Sequence, residues 1–338
     1  MKKPWLHTEP SKPSFLIWLR LLSMSQWHSA SRASRTRKTC RLTHIELASE
    51  RIFAMTYTTR VAPSPTGDFH IGTARTAYFN WLAARASGGR FILRIDDTDL
   101  ARNNHASIDV IHDCLDWLGL APDAVYRQSH RRDIYDAAAA KLLDAGLAVR
   151  ADNGAVLMKG GAAAPWHDLI SGDQLPSAKA HDLAHDQVLI KADGMPVYHF
   201  ASVVDDIDLG VNLVIRGMDH LTNTFRHAGL YTALGAAMPD FAHVGLITMD
   251  GKKMSKRDAA ASLLGYRDDG VDPDGMLNYL LRVGWGPRQD DKSMKIIDRD
   301  RAVSLFLDHG KMRASPAAMD LPKLASFDRK YKHMKRSA

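Results

Sequence analysis

The chain has 338 residues, 45% hydrophobic and 25% charged, with a formal net charge of +7. Its length suits roughly two domains of about 100–200 residues, and its composition excludes a disordered, fibrous or collagen-like protein. Two cysteines, Cys40 and Cys114, provide no disulfide framework, and no Cys-x-x-Cys or Cys/His cluster has the spacing of a zinc site.

The charge is unevenly placed. Residues 1–54 hold 10 Lys/Arg against 3 Glu and account for the whole excess, leaving 35 basic and 35 acidic residues in a neutral remainder. An anion-binding surface there must be a local patch, not a global field. Residues 15–22 are apolar but too short to span a bilayer. Residues 23–43 are rich in Ser and Arg and lack acid, as transit peptides do. Residues 1–54 are expected to be a basic extension ahead of a true start at Met55, with organellar targeting or a nucleic-acid arm as alternatives.

Thr58-Thr59-Arg60-Val61-Ala62 reads as a short strand, closed by Pro63-Ser64-Pro65-Thr66-Gly67. A helix follows, with Ile71, Ala74, Tyr78, Trp81 and Leu82 on one face and Ser87-Gly88-Gly89 stopping it. Residues 91–95 form a buried strand ending in the acidic turn Asp96-Asp97-Thr98-Asp99. Helices over about 108–118 and 135–143 stop at Gly119 and Gly146. Residues 150–190 lose periodicity and read as an insertion. Alternation resumes with a strand at 213–216, a helix at 220–234 and a strand at 241–248, before the turn Asp250-Gly251 and a basic loop. From about 262 the pattern is helical. This alternation predicts an α/β fold with a parallel sheet over 55–261, an insertion at about 150–191, and a small helical region over 262–338.

Two segments carry chemistry. In Pro63-Ser64-Pro65-Thr66-Gly67-Asp68-Phe69-His70-Ile71-Gly72-Thr73, a rigid turn delivers His70 and Gly72 to a helix N-terminus, where backbone N–H groups and the dipole favour a phosphate. Gly72 lets a flat base approach the backbone. In Asp250-Gly251-Lys252-Lys253-Met254-Ser255-Lys256-Arg257, four cations in six residues suit the charge developing on a leaving pyrophosphate. Taken singly, the first reads as an ordinary strand–turn–helix and the second as a solvated basic loop. No P-loop competes as a nucleotide site. His181 and His185, beside Asp182 and Asp186, lack a further ligand and read as a solvated helix, so no metal site is expected.

The two segments together, some 180 residues apart, match the paired signatures of class I aminoacyl-tRNA synthetases. RVAPSPTGDFHIGTARTAYFN, GGRFILRIDDTD, WLGL, VYRQS, SVVDDID, VIRGMDHLTNTFRHAGLYTALG and GKKMSKR narrow the resemblance to glutamyl-tRNA synthetase, over about 58–331. It implies a Rossmann-like catalytic domain carrying a short inserted acceptor-end segment, followed by a helical stem-contact-like region. It also implies ATP-dependent ligation of L-glutamate to tRNA through a glutamyl-adenylate, with Mg²⁺, in a cytoplasmic monomer without a membrane anchor. By similarity, His70, Gly72, Thr73, Asp219, Lys253, Ser255 and Lys256 would bind ATP, with His70, Gly72, Lys253 and Lys256 serving activation. Arg60, Ser64, Asp96, Tyr198, Ser202 and Arg216 would hold glutamate, the arginines gripping carboxylates bidentately. Asp96 stands where some members carry Glu, Ser202 where some carry Asn, and Met218 where an acidic residue is usual. The chain stops near 327–331, about where the family's anticodon-binding domain would begin. The alternatives are glutamylation of a modified tRNA nucleoside and a non-catalytic tRNA-binding paralogue.

Overall fold

The computed structural model describes residues 55–66, 69–99, 103–160, 163–184, 186–249, 252–253, 262–287, 296–308 and 310–337, without the side chains of 183, 184, 252 and 253. The first half is two crossovers. Strand β1 (Thr58–Val61) leads into helix α1 (Ile71–Ser87), then β2 (Arg90–Ile95), α2 (His105–Leu118), β3 (Ala124–Arg127) and α3 (Arg132–Asp144). The strands β1, β2 and β3 pair in parallel, in that order. Five of the six β2 residues are buried, as expected for a parallel strand covered on both faces. Phe91, Leu93 and Ile95 join one hydrophobic cluster and Ile92 the other, which is the period-2 alternation of a pleated strand.

The inserted residues form β4 (Ala148–Arg150), β5 (Val156–Met158), β6 (Trp166–Asp168), β7 (Gly172–Gln174), helix α4 (Ala178–Ala184) and β8 (Val188–Ile190). They divide their allegiance. The antiparallel sheet β4-β5-β8 stands by itself, whereas β6 joins the parallel array beside a later strand. His181 and Asp182 are exposed on α4; His185 lies outside the described residues.

The second half comprises α5 (Tyr198–Asp208), β9 (Leu213–Gly217), α6 (Asn223–Leu234), β10 (Asp240–Val244), β11 (Ile247–Met249) and β12 (Lys252–Lys253). Its sheet runs β7-β6-β10-β9, with β10 parallel to both neighbours. The continuous strand expected over 241–248 is broken at Gly245 and Leu246. The reason is close approach: a Cβ at Gly245 would stand 2.0 Å from the Ser315 carbonyl oxygen, and the Gly245 N–H donates to the Arg313 carbonyl at 2.9 Å. Asn212 joins the two halves, its backbone N–H donating to the Thr58 carbonyl at 3.1 Å and its Oδ1 accepting from the Thr58 N–H at 2.8 Å. Asn80 of α1 reinforces the seam by donating to the Ile215 carbonyl at 2.9 Å.

The remaining elements are α7 (Leu263–Asp268), α8 (Pro273–Arg282), β13 (Trp285–Pro287), α9 (Arg299–Leu305), β14 (Gly310–Met312), β15 (Ala317–Ala318) and α10 (Leu321–Arg336). Helix starts follow local chemistry. Asp272 accepts from the N–H groups of Asp274 and Gly275, with Pro273 at the first turn, and Asp320 accepts from that of Lys323. Leu277, Leu280, Leu281 and Phe306 share a buried cluster with Ile71, Phe79 and Leu82 of α1. On the opposite face, Tyr135, Leu142, Phe200, Leu230 and Phe241 form a second cluster. The two mainly parallel sheets, joined at Asn212, thus lie as a middle layer between two hydrophobic clusters. Among the described residues no helix is long and apolar enough to cross a membrane.

Candidate functional site

A cavity of about 330 Å³ opens where β1 and β9 end, against the first turn of α1. Crevices at the carboxyl ends of strands, where the strand order reverses direction, are the usual ligand sites of open α/β sheets. Arg60, Ser64, His70, Gly72, Thr73, Tyr198, Arg216 and Asp219 all reach its wall. Asp96 and Ser202 do not.

At the α1 end, His70 is the N-cap residue, and its Nδ1 accepts from the Thr73 N–H at 3.2 Å. This fixes the ring over the first turn. A Cβ on Gly72 would meet His70 Cε1 and Nδ1 at 3.1 Å, so a side chain there would displace the histidine. Helix α1 thereby presents its positive dipole end to the cavity. Thr73 Oγ1 lies 3.2 Å from His70 Nε2.

Also on the cavity wall, Arg216 is 6% exposed. Its Nε donates to His243 Nε2 at 3.0 Å, and its Nη2 to Thr224 Oγ1 at 2.7 Å and to the His220 carbonyl at 3.3 Å. Nη1 lies 3.4 Å from His227 Nδ1, and the guanidinium stands 5.1 Å over the Phe241 ring. These partners are neutral. Arg216 is therefore a cation with no carboxylate in direct contact, only the more distant field of Asp206, held at a cavity wall, which is the chemistry of a carboxylate or phosphate subsite.

Arg60 differs. Its Nε and Nη2 donate to Asp206 Oδ1 and Oδ2 at 3.1 and 3.2 Å, so its charge is largely answered from within the protein. Asp206 also accepts from Arg94 Nη1 at 2.7 Å, and Arg94 pairs with Asp96 through Nε at 2.6 Å. Burial alone would raise the Asp206 carboxyl, but Arg60 and Arg94 overcome it and hold it below the ordinary range. For Asp96, burial prevails over Arg94 and lifts the carboxyl to about 6. Ser202 Oγ accepts from Arg94 Nη2 at 3.2 Å. Asp96 and Ser202 thus sit one layer behind the cavity, both on Arg94. Neighbouring Asp205 accepts from Gln128, Arg131 and the Tyr135 hydroxyl.

Tyr198 opens α5, its hydroxyl 3.5 Å from His220 Nδ1. Ser64 is exposed in the loop after β1, and Asp219 lies in the single-turn 3₁₀ segment Met218–His220. Lys253 contributes its backbone to β12; its side chain, and all of Ser255 and Lys256, lie outside the described residues. The residues that motif reading did not single out are Arg94, Asp168, Asp206, Thr224, His227 and His243. One signal was available: adjacent carboxylates in the apolar helical stretch Ser202-Val203-Val204-Asp205-Asp206-Ile207 require buried cations.

Four histidines surround Arg216. Burial, then neighbouring arginines, pushes His199 and His220 down to about 4; burial also depresses His227 and His243. A histidine depressed on folding takes its proton in the unfolded chain first, so stability present above about 6.5 is lost as pH falls towards 4. Each of His199 and His220 alone is worth about 3 kcal/mol. Asp96, raised on folding, works the other way as pH falls through 6 but is outnumbered. The urea midpoint is expected to drop between pH 7 and 4.5; a midpoint flat across that window would contradict neutral buried imidazoles.

The sequence pattern of class I tRNA synthetases (E and Q), catalytic domain, matches residues 56–161 and 158–324. A glutamate–tRNA ligase of Neorickettsia sennetsu is 44% identical over 280 residues, 82% of this chain and 66% of the relative. One of Akkermansia muciniphila is 46% identical over 244 residues, 69% of this chain and 56% of its own length. The chain thus spans two thirds or less of these curated relatives. Among solved structures, a glutamate tRNA ligase from Elizabethkingia meningosepticum in complex with its amino acid superposes with a TM-score of 0.72 at 30% identity, covering 83% of this chain and 70% of that one.

Proposed function

The chain belongs to the family of class I tRNA synthetases (E and Q), catalytic domain, and on that premise we propose that it joins L-glutamate to tRNA through a glutamyl-adenylate made from ATP. The observation that carries this reading is Arg216, a buried cation hydrogen-bonded to neutral partners, lining the same cavity as the N-terminus of α1. The arrangement suits a substrate with two carboxylates: one is gripped by Arg216, and the other stays free to react. His70, the Gly72 backbone and Thr73 would receive the phosphates at the α1 N-terminus, with Asp219 at the cavity edge. Mg²⁺ would enter on those phosphates and neutralise their charge. Ser64 and Tyr198 would line the amino acid. Arg60, already held by Asp206, would add its field and its remaining N–H groups; Asp96 and Ser202 would act through Arg94.

In the first step, a substrate carboxylate oxygen bonds to the α-phosphorus as the bond to the pyrophosphate oxygen breaks. No protein nucleophile is needed, so catalysis rests on positioning and charge neutralisation. Lys253 and Lys256, with Ser255, would meet the departing pyrophosphate. In the second step, the terminal ribose hydroxyl of tRNA displaces AMP from the mixed anhydride. The enzyme works as a monomer in the cytoplasm.

The test is incubation with ATP, Mg²⁺, radiolabelled glutamate and total tRNA. The expected product is tRNA carrying glutamate through an alkali-labile ester. Absence of product with every tRNA would defeat the reading. A label resisting the base that cleaves terminal esters would instead place glutamate on a modified nucleoside.

A further inference from the structure

The inserted segment reaches the cavity through a chain of three buried side chains. Asp168, the last residue of β6, is 0% exposed. Its Oδ1 accepts from the backbone N–H groups of Ile170 and Ser171 at 3.0 and 2.8 Å. Its Oδ2 faces His243 on β10, taking the backbone N–H at 3.1 Å and lying 2.6 Å from ring Nδ1. The opposite ring nitrogen, Nε2, is 3.0 Å from Arg216 Nε. His243 is itself 0% exposed and is stacked on Phe241, their ring centroids 5.9 Å apart.

This geometry determines where the imidazole proton sits. A carboxylate cannot donate, so a 2.6 Å contact with Nδ1 requires the proton on Nδ1. Nε2 then carries the lone pair, and only that form can accept from a guanidinium, which has no lone pair to offer. We propose that Asp168 and His243 are positioning residues for Arg216, locking one histidine tautomer so that the guanidinium faces the cavity with its charge unspent. The inference rests on Arg216 being the carboxylate-binding cation of the reaction proposed above. The interposed ring explains an otherwise odd arrangement. A carboxylate placed directly on Arg216 would orient it but cancel its charge, as Asp206 largely does for Arg60. One imidazole away, the carboxylate orients the cation and leaves it free for substrate. The assignment also gives the inserted segment a part in amino-acid recognition, since Asp168 comes from it.

Three variants test this. Asp168→Asn keeps one acceptor oxygen, which can serve either the two N–H groups of His243 or those of Ile170 and Ser171 but not both, so its NH₂ opposes donors on one side and the ring loses its firm hold. His243→Asn keeps a donor near Asp168 but leaves Arg216 Nε without an acceptor. Each is expected to raise the KM for glutamate about 10- to 100-fold, the scale of one unsatisfied buried donor, with the KM for ATP unchanged. Adding His243→Gln to Asp168→Asn restores an acceptor at the Nε2 position that no longer depends on Asp168, and should recover part of the loss. A purely structural contact would instead make the double variant worse than either single. If Asp168→Asn does not fold, His243→Asn decides by the same KM comparison. The second readout is independent of activity: nitrogen-15 spectra of the histidine-labelled wild-type chain should show His243 protonated at Nδ1 and bare at Nε2. Failure to form any glutamyl product would sink the function proposed above, while these spectra would still decide the relay. A wild-type proton on Nε2, or an unchanged glutamate KM in both Asn variants, would overturn it.

Discussion

Replacing Arg216 by glutamine is expected to lower kcat/KM for glutamate by roughly 10- to 100-fold, because four of its five N–H groups already have partners in the protein and one charge-assisted hydrogen bond to a carboxylate contributes about 1.5–3 kcal/mol. The same change should leave the affinity for ATP intact, since the proposed phosphate contacts come from the first turn of α1, at His70 and Gly72, and not from Arg216. It should also stabilise the fold. Arg216 is buried among a histidine ring, a hydroxyl and a carbonyl, so removing a cation with no carboxylate in direct contact lifts a desolvation cost. A higher urea midpoint beside a collapsed glutamate-dependent ATP–pyrophosphate exchange, assayed with tRNA present, is the expected pair of results. Arg216→Lys separates charge from shape. It keeps the cation but not the planar fork, and should lie between wild type and glutamine. Wild-type kcat/KM in the glutamine variant would remove Arg216 from recognition altogether.

Asp206→Ala should act on stability with the opposite sign. Asp206 is 2% exposed and joins Arg60 to Arg94. Deleting it leaves two arginines buried, one of them fully and the other retaining no described carboxylate partner. Breaking a buried ion pair from one side costs about 3–5 kcal/mol, a large part of the roughly 5–15 kcal/mol that stabilises a typical domain. Arg60 would be released towards the cavity, so the glutamate KM should change as well. Chemical denaturation measures the first effect and steady-state kinetics the second. A loss below about 1 kcal/mol would mean that water replaces the carboxylate and that the network is not a stability element.

Much of the frame is legible in the chain itself. The helix over 71–87 announces itself through Ile71, Ala74, Tyr78 and Leu82 at helical spacing, all of them buried. Gly88, Gly119 and Gly146 stop their helices or lie just past them, where the left-handed region is needed. Elements with weaker local signals escaped. The strand Ala124–Arg127 has two adjacent apolar aliphatic residues, Ala124 and Val125, and no fully buried position, so alternation is invisible in it. The helix Tyr198–Asp208 is masked by its carboxylates, which solvent-based reading places outside but which Arg94, Arg60 and Arg131 draw inside. Residues after 262 read as helical because short pairings such as Trp285–Pro287 with Gly310–Met312 are joined across 20 or more residues.

The site divides along the same line. His70, Gly72 and Thr73 are neighbours in sequence, so one turn of chain placed them and motif reading found them together. Arg216 is named as a carboxylate-binding candidate by the family resemblance around VIRG, and guanidinium chemistry agrees with it. Which arginine keeps its charge for a ligand could not be read that way. Arg60 and Arg216 look alike in sequence, each a cation within a short strand. Tertiary structure sets Asp206 against the first and the neutral face of His243 against the second. That choice depends on contacts spanning 146 and 27 positions, beyond the reach of local propensity or spacing. A buried cation is tuned by what lies within a few ångströms of it, and only the fold decides what that is.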